Sequence, residues 1–273
     1  MDTNPSASAA ARSRAGMTLV ELLVVVATVG VIVALILPAA QAARESARRT
    51  VCIDNLRNIG CALHGHLIAK GVFPAGCVEW RVGGDRSMRQ LAWSAFILPW
   101  LEEQAVADRL ELSKAFDDAA NADAAAAVLP VFRCPSVTRP RATIAGRGAC
   151  DYGGIYGERL VSPNNPPKGA FLIDRTLRTR DIADGLSKTV FVGEDCGFDG
   201  RGFPDGQWIN GRNIFDQAYP INAAPAVEND MRSRHPGGVV ALLGDGAARF
   251  LRESLDRGVL AGLCTRAGAD RTE

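Results

Sequence analysis

The sequence lacks the short motifs by which many enzymes and metalloproteins are identified. It has no Gly-x-Ser-x-Gly elbow, no Walker loop and no His-Glu-x-x-His pair, and none of its seven cysteines forms a Cys-x-x-Cys spacing. These absences exclude the local signatures of serine hydrolases, P-loop proteins, zincins, zinc ribbons and thioredoxin-like sites. His64 and His66 are two positions apart on a predicted helix, so their side chains point in different directions. The sequence therefore predicts no catalytic residue, no cofactor and no metal ion.

The sequence also lacks an excess of either charge. It has 31 Lys and Arg against 30 Asp and Glu, for a formal net charge of +1. Because nucleic-acid binding requires concentrated basic surface, we predict no nucleic-acid partner. The hydrophobic fraction of 47% and the charged fraction of 22% are those of an ordinary globular protein.

What the sequence does have is one long apolar run near its N-terminus. From Met17 to Leu37 it reads MTLVELLVVVATVGVIVALIL, with Glu21 as the only charge. At about 1.5 Å per residue a helix of this length covers about 31 Å, close to the hydrocarbon thickness of a bilayer. The run therefore predicts a helix that can span a membrane unaided.

Glu21 is the residue of this run that needs an explanation. A carboxylate inside a span costs about 2.5–3.5 kcal/mol at the bilayer centre and less near an end. One interpretation is that Glu21, close to the start of the run, reaches the headgroup layer. The other is that it pairs with a positive group within the membrane, namely the new amino terminus of a neighbouring subunit.

The segment Arg14–Glu21 resembles the processing site of type IV prepilins and type II secretion pseudopilins. In that family a prepilin peptidase cuts after the glycine and methylates the new N-terminus, and the glutamate is needed for assembly with other pilin-like subunits. The resemblance implies that Gly16 precedes the cut, Met17 becomes the methylated N-terminus and Glu21 is the assembly carboxylate. This chain departs mildly from the family, which usually has Phe at the position of Met17 and Leu or Ile at that of Val20.

The resemblance also implies the organisation of the chain. We expect a leader peptide at 1–16, a transmembrane and assembly helix at 17–38, an amphipathic stalk helix at 39–70 and an extracytoplasmic domain at 71–273. The protein would cross the inner membrane once and place its C-terminal domain in the periplasm or on the cell surface. Arginines lie on both sides of the span, so the charge distribution alone does not set this orientation.

Two rival interpretations of the N-terminus stay open. Ala40-Gln41-Ala42 has the pattern of an ordinary signal-peptidase site. The apolar run is longer than the usual signal-peptide core of about 7–15 residues and contains a carboxylate, which argues against ordinary secretion. An uncleaved membrane anchor is the second rival.

The sequence after Pro38 returns to a helical pattern. Apolar residues recur at steps of three and four, which predicts one buried stripe along an amphipathic helix; they are Cys52, Leu56, Ile59, Leu63 and Leu67. We expect one long helix that is kinked near Pro38 and stopped by Gly71 and Pro74.

The remainder of the chain predicts an α+β domain of pilin-like class, with the long helix packed on a mainly antiparallel sheet. Segment 91–112 reads as an apolar stretch leading into a helix, and strand-like segments begin at residue 131. The clearest local prediction is a hairpin, in which 239–243 and 248–251 flank Gly244-Asp245-Gly246.

A second resemblance covers nearly the whole chain. Segments such as CIDNLRNIGCALH at 52–64 and FRCPS at 132–136 resemble an uncharacterised bacterial family of prepilin-like proteins. That family is marked by a His, nine residues and then Asp-Gly, which His235 and Asp245-Gly246 match. The resemblance implies no biochemical activity. Because Cys52 and Cys134 lie in family-like segments, we also hypothesise a disulfide between them; the odd cysteine count leaves at least one thiol free or paired between chains.

Two further sites are weighed from the sequence. His235 and Asp245 could suggest a catalytic pair, but a turn histidine followed by a hairpin turn is the favoured interpretation. The acidic, glycine-rich stretch of Glu194, Asp195, Asp199 and Asp205 contains oxygen ligands of the type that hold calcium. Its spacing fits no known calcium loop, so a solvated turn is expected.

The leading functional prediction is a membrane-anchored pseudopilin or minor pilin-like subunit of a secretion or pilus-like system, and not an enzyme. A membrane-tethered solute- or glycan-binding protein is the alternative, supported only by four tryptophans: Trp80, Trp93, Trp100 and Trp208. A membrane-anchored hydrolase is third.

Overall fold

The structure, a computed structural model, describes residues 17–139, 141–196, 206–225 and 228–268. The chain forms two compact units, Met1–Arg44 and Glu45–Glu273. The leader segment 1–16, including Gly16, lies outside the described residues. The predicted boundaries of leader, membrane helix and stalk therefore stay predictions.

The helices are α1 Leu19–Lys70, α2 Gln104–Ala107, α3 Ala122–Ala125 and α4 Arg257–Leu263. The strands are β1 Cys77–Val78, β2 Leu91–Ala92, β3 Thr143–Ile144, β4 Arg147–Gly148, β5 Tyr152–Glu158, β6 Val190–Glu194, β7 Ile214–Gln217, β8 Gly238–Leu243 and β9 Ala248–Arg252. Short 3-10 helices occur at Val82–Gly84, Trp93–Phe96, Leu98–Leu101, Ala119–Asn121, Pro130–Phe132, Thr179–Asp181 and Leu186–Lys188.

The main sheet has five strands in the order β7-β5-β6-β8-β9. Every pair in it is antiparallel except β5 and β7, which are parallel. The predicted α+β fold, with a long N-terminal helix on a mainly antiparallel sheet, is confirmed.

Helix α1 is 52 residues long and continues through Pro38. It ends at Gly71, whose φ of 75° is the left-handed conformation that closes many helices. The Gly71 amide donates to the Leu67 carbonyl at 2.8 Å. The stop predicted at Gly71 is confirmed, while the kink predicted near Pro38 stays a prediction.

The second half of α1 buries the predicted stripe. Cys52, Leu56, Ile59 and Leu63 are at most 2% exposed, and Leu67 packs partly buried against the same core. This stripe shares one apolar cluster with Val240 and Leu242 of β8 and with inward-facing residues of β5 and β6. The alternation of strand side chains sends the remaining β8 residues to the opposite face, where they pack with α4.

The hairpin prediction is confirmed. Strands β8 and β9 pair antiparallel, from Gly238 opposite Arg252 to Leu242 opposite Ala248. In the turn between them, Gly246 has a φ of 88°. A hairpin turn requires such a positive φ, and glycine adopts it without steric cost.

One local prediction was wrong and another held only in part, because tertiary contacts prevailed over local pattern. In segment 91–112 the apolar stretch forms β2 and two 3-10 helices, with Pro99 near the start of the second, and the helix that follows Glu102, at a φ of 62°, is only the short α2. Segment 131–136 is not a strand. There the Cys134 amide donates to the Asp151 side chain at 2.8 Å, and the preceding 3-10 turn begins with Pro130, which has no amide proton for a strand ladder.

Candidate functional site

The first half of α1 presents apolar side chains on every side. Each residue from Met17 to Ala39 is exposed, and the large apolar side chains among them are 50–79% accessible. Among the described residues this is the helix that is long and apolar enough to cross a membrane. A helix that is apolar all round needs lipid or other helices around it, so the finding is compatible with membrane anchoring.

Glu21 closes a capping box at the start of this helix. The Glu21 carboxylate accepts hydrogen bonds from the Thr18 amide at 2.8 Å and the Thr18 hydroxyl at 2.9 Å. In return the Glu21 amide donates to the Thr18 hydroxyl at 3.2 Å. This reciprocal pattern satisfies helix amides that otherwise have no partner. Glu21 therefore has a role within its own chain, which the sequence interpretation did not include.

The second candidate site lies in the globular unit, around His235. The side chain is 2% exposed. Its Nε2 atom lies 3.2 Å from the Cys52 sulfur, 3.6 Å from the Cys134 sulfur and 3.3 Å from Glu194 Oε1. On the other side of the ring, Nδ1 contacts Glu45 Oε1 at 2.5 Å. The ring is therefore the centre of a buried polar cluster, which the favoured interpretation of His235 as a turn histidine did not include.

Cys52 and Cys134 meet in this cluster. Their sulfurs lie 3.0 Å apart and are not bonded to each other. Cys52 is on α1 and Cys134 follows the Pro130–Phe132 turn, so their contact brings the helix and this loop together. The segments were correctly paired in space, and the disulfide itself stays a prediction.

Glu194, at the end of β6, supplies the fourth side chain. It is fully buried, and its Oε2 atom accepts a hydrogen bond from the Val240 amide at 2.7 Å. No described group donates a hydrogen bond to its other oxygen, Oε1, although His235 Nε2 lies 3.3 Å away. The expectation of a solvated acidic turn was wrong for Glu194 and Asp195, which are both buried because the strand carries them into the core. The other two acidic residues of that stretch, Asp199 and Asp205, lie outside the residues that the structure describes.

A second layer of polar contacts supports the histidine. Arg48 bonds Glu45 Oε2 through Nε at 2.8 Å, and the Ser136 hydroxyl lies 3.3 Å from the Glu45 carboxylate and 3.4 Å from His235 Nδ1. Glu45 is seven residues before Cys52, so both fall on the same face of α1. That spacing is the signal by which the sequence could have indicated Glu45.

The environment changes the proton affinities of the cluster. Burial alone would lower the pKa of His235, but its contacts with Cys134, Glu194 and Glu45 outweigh burial and raise the pKa to about 10. Burial raises the pKa of Glu194. Hydrogen bonds from Cys196 and then Cys52 hold the pKa of Cys134 far below that of an ordinary thiol. The cluster thus favours a negative charge on sulfur beside a cationic imidazole.

The two parts of the predicted His and Asp-Gly motif lie in different places. Asp245 is exposed, and its carboxylate accepts a hydrogen bond from the Ala247 amide at 2.9 Å within the hairpin turn. Gly246 lies under α1, where a Cβ added to Gly60 would stand 3.1 Å from its Cα atom. His235 contacts α1 through Glu45 and Cys52, whereas Asp245 closes the hairpin turn.

The tryptophans give little support to a binding surface. Trp93 and Trp208 are fully buried, and their indole nitrogens donate to the carbonyls of Asn213 and Ala127. The other two, Trp80 and Trp100, are partly buried and pack against the same core.

Comparison with known proteins gives one match. The model of a family described as "Protein of unknown function (DUF1559)" matches residues 41–207 and 196–258, which include all four side chains of the His235 cluster. No curated protein and no solved structure matches the chain.

Proposed function

The chain belongs to the family described as protein of unknown function (DUF1559), and we propose that it is a pseudopilin or minor pilin-like subunit. A prepilin peptidase would cut it after Gly16, and the subunit would assemble with other pilin-like subunits through the first half of α1. The domain from residue 71 onward would lie in the periplasm or on the cell surface. The proposal assigns no catalytic reaction to the chain.

One observation carries this proposal: the exposed apolar helix that begins with a carboxylate. Every side chain from Met17 to Ala39 is exposed in the single chain, and Glu21 lies one turn from the predicted mature N-terminus. In a membrane the carboxylate is costly unless a positive group neutralises it. The amino terminus of an adjacent subunit, at Met17, is the group that the prepilin-like segment supplies.

The capping box provides a matched pair of variants. Glu21→Gln keeps an oxygen for the cap, because Gln also serves at this position of a capping box, but it removes the charge. Thr18→Ala removes the cap and keeps the charge. If Glu21 acts by pairing with a neighbouring amine, Glu21→Gln should be processed but fail to assemble, whereas Thr18→Ala should be processed and assemble.

The experiment measures both properties in the producing bacterium. The mass of the mature N-terminus reports processing, and chemical cross-linking in membranes followed by sedimentation reports assembly. Assembly of Glu21→Gln at the wild-type level, with loss of assembly in Thr18→Ala, would reduce Glu21 to a capping residue and refute its pairing role. The tethered binding protein would be favoured if the wild type does not assemble and if every variant keeps the wild-type location and membrane retention.

A further inference from the structure

Four side chains of the kind that bind transition metals converge below the second half of α1. Cys52 comes from α1, Cys134 from the loop after Pro130–Phe132, Glu194 from the end of β6 and His235 from the segment before β8. Each offers one ligand atom, and these atoms lie within 4.8 Å of one another. We propose that these four residues bind one Zn²⁺ ion, which ties α1 to the sheet. This inference does not depend on the proposed function.

The donor atoms suit zinc in kind and in spacing. Two sulfurs, one imidazole nitrogen and one carboxylate oxygen form a four-ligand set typical of tetrahedral Zn²⁺. Tetrahedral bonds of the usual lengths place sulfur and nitrogen about 3.6 Å apart, nitrogen and oxygen about 3.3 Å apart and two sulfurs about 3.8 Å apart. Nε2 of His235 lies 3.2 and 3.6 Å from the sulfurs and 3.3 Å from Glu194 Oε1. The sulfurs, now 3.0 Å apart, would have to separate by about 0.8 Å, and Nε2 would have to move about 0.4 Å from the Cys52 sulfur.

The environment of Glu194 Oε1 favours an ion over a disulfide. This buried oxygen accepts no hydrogen bond from the described residues, and its contact at 3.3 Å is His235 Nε2, which has no proton to donate when the neutral ring is protonated at Nδ1. A bond between Cys52 and Cys134 would satisfy the two sulfurs but would give nothing to Oε1. A divalent cation at the centre of the cluster satisfies the sulfurs, Nε2 and Oε1 together.

The contacts behind His235 are those of a metal ligand. The Glu45 carboxylate contacts Nδ1 at 2.5 Å and is itself bonded to Arg48. When the imidazole is neutral, this pairing holds its one proton at Nδ1, which leaves the Nε2 lone pair directed toward the sulfurs. Carboxylate partners of this kind commonly orient zinc-binding histidines and raise their basicity.

The arrangement indicates a structural role for the ion. All four ligands are protein side chains in a buried position, so the set is closed and leaves no place for a substrate. Starting from a Cys134 thiolate beside a cationic His235, binding would release the Cys52 thiol proton and the Nε2 proton, which leaves two thiolates and a neutral His235 with its proton at Nδ1. Because the ligands come from α1, one loop and the sheet, the ion would be lost on unfolding and would therefore stabilise the fold.

The test uses the full chain purified in detergent without chelators, dialysed against Zn²⁺ and then against buffer. Elemental analysis should find about one zinc per chain. Cys52→Ser and Glu194→Gln should lower zinc affinity at least tenfold, and Glu45→Gln, which removes an outer contact, should lower it by about 10–100-fold. The matched control is Cys150→Ser, because Cys150 is equally buried but donates to the Tyr152 carbonyl at 3.1 Å outside the ligand set. It should bind zinc like the wild type.

Substitution of Co²⁺ for Zn²⁺ distinguishes a variant that has lost a metal ligand from one that has failed to fold. Co²⁺ in place of Zn²⁺ should give thiolate charge-transfer absorption that disappears in Cys52→Ser and persists in Cys150→Ser, while circular dichroism shows both variants folded. A chelator should lower the melting temperature of the wild type and leave that of folded Glu194→Gln unchanged. Wild-type protein that takes up neither metal would overturn the proposal. Mass mapping that finds Cys52 bonded to Cys134 in protein taken directly from membranes would also overturn it.

Discussion

Leu56→Ala tests whether the second half of α1 is part of the domain core. Leu56 is fully buried in the cluster that joins α1 to β6 and β8. Removing a buried leucine side chain costs about 2.7–5 kcal/mol, because transfer free energy is lost and a cavity remains. We expect about 3–4 kcal/mol here, since backbone of the sheet limits collapse of the helix into the gap. Ile68→Ala is the matched control on the same helix, because Ile68 is 85% exposed and its loss should cost at most about 0.5 kcal/mol.

The assay is urea unfolding of the full chain in detergent, followed by tryptophan fluorescence. Trp93 and Trp208 are fully buried and should report the loss of the core. Leu56→Ala should lower the urea midpoint by about 1 M or more without a change in the m-value, the slope of the free energy of unfolding against urea. Ile68→Ala should leave the midpoint unchanged. Leu56→Met conserves volume and should cost less than about 1.5 kcal/mol, which keeps the test informative if the alanine variant does not fold. Equal midpoints for Leu56→Ala and Ile68→Ala would refute the packing of α1 described above.

Three further outcomes follow from other contacts. Arg81, and to a smaller extent Arg86, holds the pKa of Asp117 at about 2. The folded carboxylate therefore stabilises the protein above about pH 4, and roughly 2 kcal/mol of stability is lost as the pH falls to about 2. Arg81→Met should remove most of that acid dependence in melts at varied pH, because only Arg86 then remains beside Asp117. Gly246→Ala should lower stability by about 1 kcal/mol because φ is 88°, and Gly246→Asn by less; equal melting temperatures would contradict this. Gly65→Ala places a Cβ in collision with the Trp100 ring and should cost about 1–3 kcal/mol in the same melts, so an unchanged melting temperature would show that the ring moves freely.

The features that local pattern controls were predictable from the sequence. The stripe from Cys52 to Leu63 follows helical periodicity and is buried where expected. The hairpin at Asp245-Gly246 follows from the positive φ that glycine adopts easily. The shortness of the helix in segment 91–112 could not be predicted, because the apolar residues there are buried by contacts with distant segments. Trp93, for example, donates to the Asn213 carbonyl and packs on Phe171.

The His235 cluster could be predicted only in part. Cys52 and Cys134 were paired through family-like segments, but the prediction of no metal site rested on local cysteine spacing. A short spacing such as Cys-x-x-Cys indicates only a metal site whose ligands lie close together in the sequence, within one turn or one hairpin. Here the four ligands come from segments that only the tertiary fold brings together, with 82 positions between the two cysteines and 183 between Cys52 and His235. The capping role of Glu21 was within reach of the sequence, because Thr18 and Glu21 have the spacing of a capping box.

The most direct test of the account is the intact mass of the mature chain recovered from native membranes. A chain that begins with methylated Met17 and retains the apolar helix is the predicted result. A chain that begins at residue 1 would make the helix a plain anchor. A chain that begins at Ala43, after the Ala40-Gln41-Ala42 pattern, would have lost the helix and Glu21, and either result would contradict the pilin-like proposal.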